Sequence, residues 1–132
     1  MIKLILKTPK TFLLALLVIA SINTAAASRL ALLIGNQNYR NDKPLKNPIR
    51  DVALIQKALS DAGFTVIPRH NLSKAAVIRE LRQFQAQLQP GDVALVYYSG
   101  HGLQYNSDNY LVPIDANIAS ANEIPYESTS TQ

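Results

Sequence analysis

A run of strand-forming residues, ALVYYSGHG at 94–102, ends in Ser99-Gly100-His101-Gly102. An imidazole titrates near neutral pH and can take a proton from a reacting group or return one. Glycines on both sides allow close backbone approach. The Gly102 N–H is a natural donor to a developing oxyanion, provided a nucleophile is presented nearby. A satisfied structural histidine is the alternative reading of the same four residues.

The nucleophile is the difficulty, because the chain contains no cysteine. Ser99 would share a side with His101 in extended backbone, but it sits in no Gly-x-Ser-x-Gly elbow and opens no helical pattern. His70 lies in PRHNLS between a strand and a helix, and two histidines without a third ligand do not make a zinc site. Gly35-Asn36-Gln37-Asn38 lacks both the glycines of a dinucleotide fingerprint and the Gly-Lys-Ser/Thr of a P-loop. No metal or cofactor is implied. Tyr39, Tyr105 and Tyr110, in or beside polar loops, read as half-buried tyrosines, with the lining of a groove as the alternative.

The elements that must position His101 follow from the apolar pattern. RLALLI (29–34) is a short strand. QNYRNDKPLKNP (37–48) is a surface loop, and Asn47-Pro48 is an N-cap with proline at the first helical position. Val52, Ile55 and Leu59 form the apolar stripe of a helix that Gly63 stops. A strand over 64–67 is closed by Pro68. Ser73 caps a second helix whose stripe is Val77, Leu81, Phe84 and Leu88. Val93–Tyr98 is nearly continuous in apolar and aromatic residues, as in a parallel strand covered on both faces. Tyr110–Pro113 is a fourth, short strand. Strand, helix, strand, helix, strand makes two βαβ units, and loops 35–48 and 99–109 leave the carboxyl ends of the strands, where sites of such sheets gather.

Residues 1–27 stand apart. Lys3, Lys7 and Lys10, the apolar run Phe12–Ala20 and Ala25-Ala26-Ala27 read as a secretory signal peptide cleaved before Ser28. A retained membrane anchor over 12–22 is the alternative, although the strict apolar run is well short of the roughly 20 residues that span a bilayer. Without the leader's three lysines, the 13 basic residues fall to ten against nine acidic. The mature chain is nearly neutral, so no nucleic acid or anionic surface is called for as partner. Residues 28–132 suffice for one modest domain, in which 118–132 is a polar tail expected to be poorly ordered.

RLALLIGNQNY, LKNPIRDVALIQKALSDAGFTV, ALVYYSGHGLQ and NYLVPIDA, in that order, resemble the amino-terminal part of the catalytic domain of caspase-like cysteine peptidases, nearest the bacterial and metacaspase-like branch. The resemblance covers residues 29 to about 117 and implies a partial αβα sandwich, an α/β fold with a mostly parallel sheet lacking its carboxyl-terminal strands. It implies hydrolysis of peptide bonds by a Cys–His dyad, with a peptide or protein as substrate. By position His101 matches the catalytic histidine and Gly102 the oxyanion-hole glycine. Asp51 matches an aspartate of structural role, and loop 35–48, with Arg40 in it, helps to shape the substrate groove.

The family cysteine lies roughly 50 residues beyond the histidine, past Gln132. The expectation is therefore an amino-terminal fragment of a cysteine endopeptidase, inactive alone. A non-catalytic pseudo-peptidase that binds or regulates a partner is the alternative. A sheet lacking its later strands leaves an uncovered edge that invites self-association.

Overall fold

The computed structural model describes residues 26–132; the expected leader lies outside them apart from Ala26 and Ala27. Five elements build the main layer: β1 (Arg29–Gly35), α1 (Pro48–Asp61), β2 (Thr65–His70), α2 (Lys74–Gln87) and β3 (Val93–Ser99). The three strands are parallel in the order β2-β1-β3, with Leu32 opposite both Ile67 and Val96. Because the chain crosses to one side of β1 and then back to the other, right-handed crossovers place the two helices on opposite faces.

Alternation along β1 distributes its side chains accordingly. Leu30, Leu32 and Ile34 pack with Val77 and Phe84 of α2, while Ala31 and Leu33 pack with Val52 of α1. β1 is thus buried on both faces and forms the spine of the molecule. This is the expected α/β arrangement of a partial αβα sandwich.

The caps explain the helix ends. Asn47 and Pro48 open α1 as expected, though the Asn47 side chain makes no cap bond. The Ser73 side chain accepts from the Ala76 N–H at 3.3 Å. Gly63, just beyond α1, has φ +81°, the left-handed conformation in which helices commonly stop.

Four expectations are corrected. β2 does not close at Pro68 but runs through it to His70; β2 is an edge strand, where a missing N–H is tolerated. β3 is not covered on both faces, since Val93 and Val96 are 46% and 48% exposed. The stretch read as a loop, 99–109, contains the hairpin of β4 (Gly102–Tyr105) and β5 (Asp108–Leu111). Asn106 and Ser107 carry it round with φ +50° and +70°, both positive, as a two-residue hairpin turn requires. The expected strand at 110–113 is β5, two residues earlier.

The polar stretch 118–132 also carries structure. It holds a 3₁₀ turn (Ala121–Glu123), a short helix α3 (Ile124–Glu127) and β6 (Thr129–Ser130). Burial of Ile124 and Ser128 anchors it, and β6 pairs antiparallel with β5 in a second sheet of order β4-β5-β6. Among the described residues no helix is long and apolar enough to cross a membrane. Residues 12–22 are not among them.

Candidate functional site

The carboxyl ends of β1 and β3 lie side by side, with Gly35 opposite Ser99, and the loops that leave them carry the site. Asn36, the first residue after β1, is fully buried, with its backbone N–H and its side-chain amide paired. Its N–H donates to the Ser99 carbonyl (2.9 Å). Its amide group accepts from the Leu72 N–H (2.9 Å) and donates to the carbonyls of Leu72 (3.4 Å) and Val112 (3.3 Å). One side chain therefore fixes the loops after β1, β2 and β5. Asn71 adds a second tie, its side-chain oxygen accepting from the N–H groups of Gln37 and Asn38, each at 3.0 Å.

On this base, loop 36–47 folds over the turn that carries His101. The His101 Nε2 lies 3.3 Å from the Lys43 carbonyl oxygen and 3.8 Å from an Asp42 carboxylate oxygen. A carbonyl can only accept, so the contact selects the ring tautomer with the proton on Nε2. Nδ1 is left as the basic nitrogen of the neutral ring. The imidazole is 32% exposed.

Two tyrosines lie behind the turn. The His101 N–H donates to the Tyr39 hydroxyl at 2.7 Å. The Tyr98 hydroxyl is 2.9 Å from the His101 carbonyl, 2.8 Å from the Val112 carbonyl and 3.2 Å from the Tyr39 hydroxyl. Burial raises the pKa of both phenols above the ordinary 10.0; the hydrogen bond to Tyr39 pushes Tyr98 further in the same direction. Both keep their protons at neutral pH. The two hydroxyls also explain Gly100, where a Cβ would fall 2.5 Å from the Tyr98 oxygen and 2.6 Å from that of Tyr39. Any side chain there would displace the pair.

An open pocket of about 240 Å³ adjoins the imidazole, lined among others by Tyr39, Asp42, His101, Gly102, Leu103 and Val112. That volume lies below the usual range for cofactor or drug-sized ligands and suits a single side chain. Its wall is part apolar and part polar, and the His101 imidazole is one of the groups that line it.

His101 and Gly102 are brought together at this pocket. Asp51 is not part of it: from the first turn of α1 its carboxylate accepts from the Ser99 hydroxyl at 3.0 Å, tying α1 to the end of β3. Arg40 is exposed, and only its backbone N–H is engaged, with the Ile114 carbonyl at 2.8 Å. His70, at the end of β2, is exposed. Sequence reasoning gave no role to Asp42, Lys43 and Asn36, and weighed Tyr39 as a half-buried tyrosine or, alternatively, as the lining of a groove. The available signal was the length of loop 36–47, whose polar residues return to the strand ends.

Likeness to known proteins bears on this geometry. The peptidase C14 family, described as the caspase domain, matches residues 28–128. Mucosa-associated lymphoid tissue lymphoma translocation protein 1 of Homo sapiens is 35% identical over 91 residues, covering 69% of this chain and 11% of that protein. Its Mus musculus homolog is 33% identical over the same coverage. Caspase-1 of Mus musculus is 29% identical over 84 residues, 62% of this chain and 21% of that protein. The chain thus spans about a tenth of the first two relatives and about a fifth of the third.

Proposed function

Because the chain belongs to the caspase domain family of peptidases, we propose that it supplies the histidine half of a Cys–His endopeptidase centre. It is a caspase-like cysteine-peptidase domain without the catalytic cysteine: none of its 132 residues is one. The observation that carries the reading is the orientation of His101. Lys43 holds Nε2–H, which turns the lone pair of Nδ1 to proton transfer. In the complete centre that nitrogen would take the thiol proton of a cysteine; the thiolate would attack the peptide carbonyl, and the imidazolium would then protonate the leaving amine. Gly102, on the pocket wall, is the proposed oxyanion donor. Without a thiol there is no acyl-enzyme, so the 132 residues alone are inactive.

In this reading the residues are the amino-terminal part of the catalytic domain, and a further strand that carries the cysteine pairs with β3. The outer side of β3 supports it. Among the described residues no strand pairs there, and Val93 and Val96 are exposed beside it.

The test is to read the coding frame beyond Gln132 and assay both forms. A strand-forming run ending in Asp-Cys or Asp-x-Cys is expected within about 20 to 30 codons. The extended chain should cleave members of a fluorogenic peptide panel and lose that activity in His101→Ala, while the 132-residue chain shows none. Activity of the 132-residue chain that depends on His101 would overturn the proposal. An extended chain with no cysteine would move the reading to a binding or regulatory pseudo-peptidase.

Export is proposed from residues 1–27 on their sequence alone. Amino-terminal sequencing of exported protein should begin at Ser28, and an uncleaved membrane-bound product would favour the anchor.

A further inference from the structure

The His101 carbonyl is tied by the Tyr98 hydroxyl at 2.9 Å and by the Val112 N–H at 3.0 Å, but neither bond reaches the ring of this base, which stands between two glycines. The backbone at Gly100 and Gly102 is free of side-chain restraint, and the His101 ring is a third exposed. Proton transfer nevertheless requires the ring to be held at one angle. Lys43 and Asp42 touch only the Nε2 edge, which fixes a direction but leaves the ring free to rock about it.

Tyr39 supplies the missing restraint in two ways. Its hydroxyl accepts the His101 N–H at 2.7 Å, and its ring packs on the imidazole with centroids 4.5 Å apart and planes tilted by 51°. The same phenol is itself held by Tyr98 at 3.2 Å and by the Val112 carbonyl at 3.3 Å, so it is a fixed wall rather than a mobile neighbour. Tyr39, Asp42 and Lys43 all belong to one loop. A single segment therefore sets both the edge contact and the face contact of the base.

We infer that Tyr39 is a positioning residue for His101, holding the turn through its hydroxyl and the imidazole through its ring. The inference rests on the reading of His101 as a catalytic base, but its test does not use peptidase activity and so fails or succeeds separately.

The two contacts predict two separable signatures in the 132-residue chain, read by hydrogen–deuterium exchange with mass spectrometry. Backbone exchange reports the His101 N–H. Exchange of the imidazole C2 proton, followed against pH, reports the ring, and His70 serves as an internal control because the chain has only two histidines. Tyr39→Phe should speed exchange of the His101 amide by about five-fold, the factor carried by one ordinary hydrogen bond, and leave the imidazole rate unchanged. Tyr39→Leu should speed both, with His70 unaffected in each variant. A general loosening of the fold would instead move His70 as well, and Phe would restore nothing selectively.

Unchanged amide and imidazole rates in a folded Tyr39→Leu protein would overturn the inference. So would parallel changes at His101 and His70. Should neither variant fold, the wild-type protein still decides: a His101 C2 proton that exchanges as fast as that of exposed His70, at equal ionisation, leaves no room for a stacked, held ring.

Discussion

The parallel sheet has two edges, and they are built from opposite materials. β2 reads TVIPRH: Pro68 has no N–H to offer an incoming strand, and Arg69 is tied to Glu80 of α2 at 2.6 Å. β3 reads VALVYYS, with neither charge nor proline, and exposes Val93 and Val96. Proline and charge are the usual means of blunting an edge against further pairing. Among the described residues, one edge of the sheet carries these blunting features and the other does not; in the proposed reading the second is a seam. A small domain is stable by only about 5 to 15 kcal/mol, so an open seam of this kind matters to the whole.

The sharpest way to break this contrast is to guard the seam. The 132-residue chain should self-associate, and Val96→Lys should return it to a monomer in size-exclusion chromatography with light scattering. Thr65→Lys on β2 should change nothing. A wild-type chain that is monomeric, with a cooperative unfolding transition, would remove the distinction between the edges.

A second measurement asks what makes the finished edge firm. Glu80 lies on α2 with its side chain only 10% exposed, and its partner Arg69 is 40% exposed. Arg69→Met leaves the carboxylate with the longer contact from Arg79, 3.6 Å away. The expected loss is about 1–3 kcal/mol, measured by denaturant unfolding. It should not change the state of association, because the β2 edge keeps its proline.

The third concerns the end of β3, which is closed although its edge is open. Tyr39 and Tyr98 have pKa values raised in the folded chain above 10.0. The unfolded chain then releases these protons first, so their contribution is complete below about pH 10 and declines as pH rises. The slope should approach 1.4 kcal/mol per pH unit for each phenol held protonated. Tyr98→Phe should lower stability by about 1 kcal/mol at neutral pH and flatten the alkaline fall in a pH series of unfolding curves. The smallest effect should come from Pro68→Val. It returns an N–H to the β2 edge and should raise association only slightly, since Arg69 still guards it.

How much of this could be read beforehand depends on the distance over which each feature is decided. The stripe Val52, Ile55, Leu59 and the cap at Ser73 are local, and both helices stand where the pattern put them. Pro68 misled because its effect depends on whether the strand has a neighbour, which no local window contains. The hairpin escaped because Asn106 and Ser107 supply positive φ without a glycine. At the site, the types and spacing of Ser99–Gly102 pointed to His101, whereas its supports come from a loop 58 to 62 residues away. Tyr39 and Gly100 explain each other only in three dimensions.

The buried amide of Asn36 has a further consequence, for the order of assembly. Its partners stand 36 and 76 positions along the chain, so it cannot be satisfied until the start of α2 and the end of β5 have both arrived. Contacts this distant tend to form late. The pocket should therefore close in the final step of folding, and strain there should register in how fast the chain comes apart more than in how fast it forms.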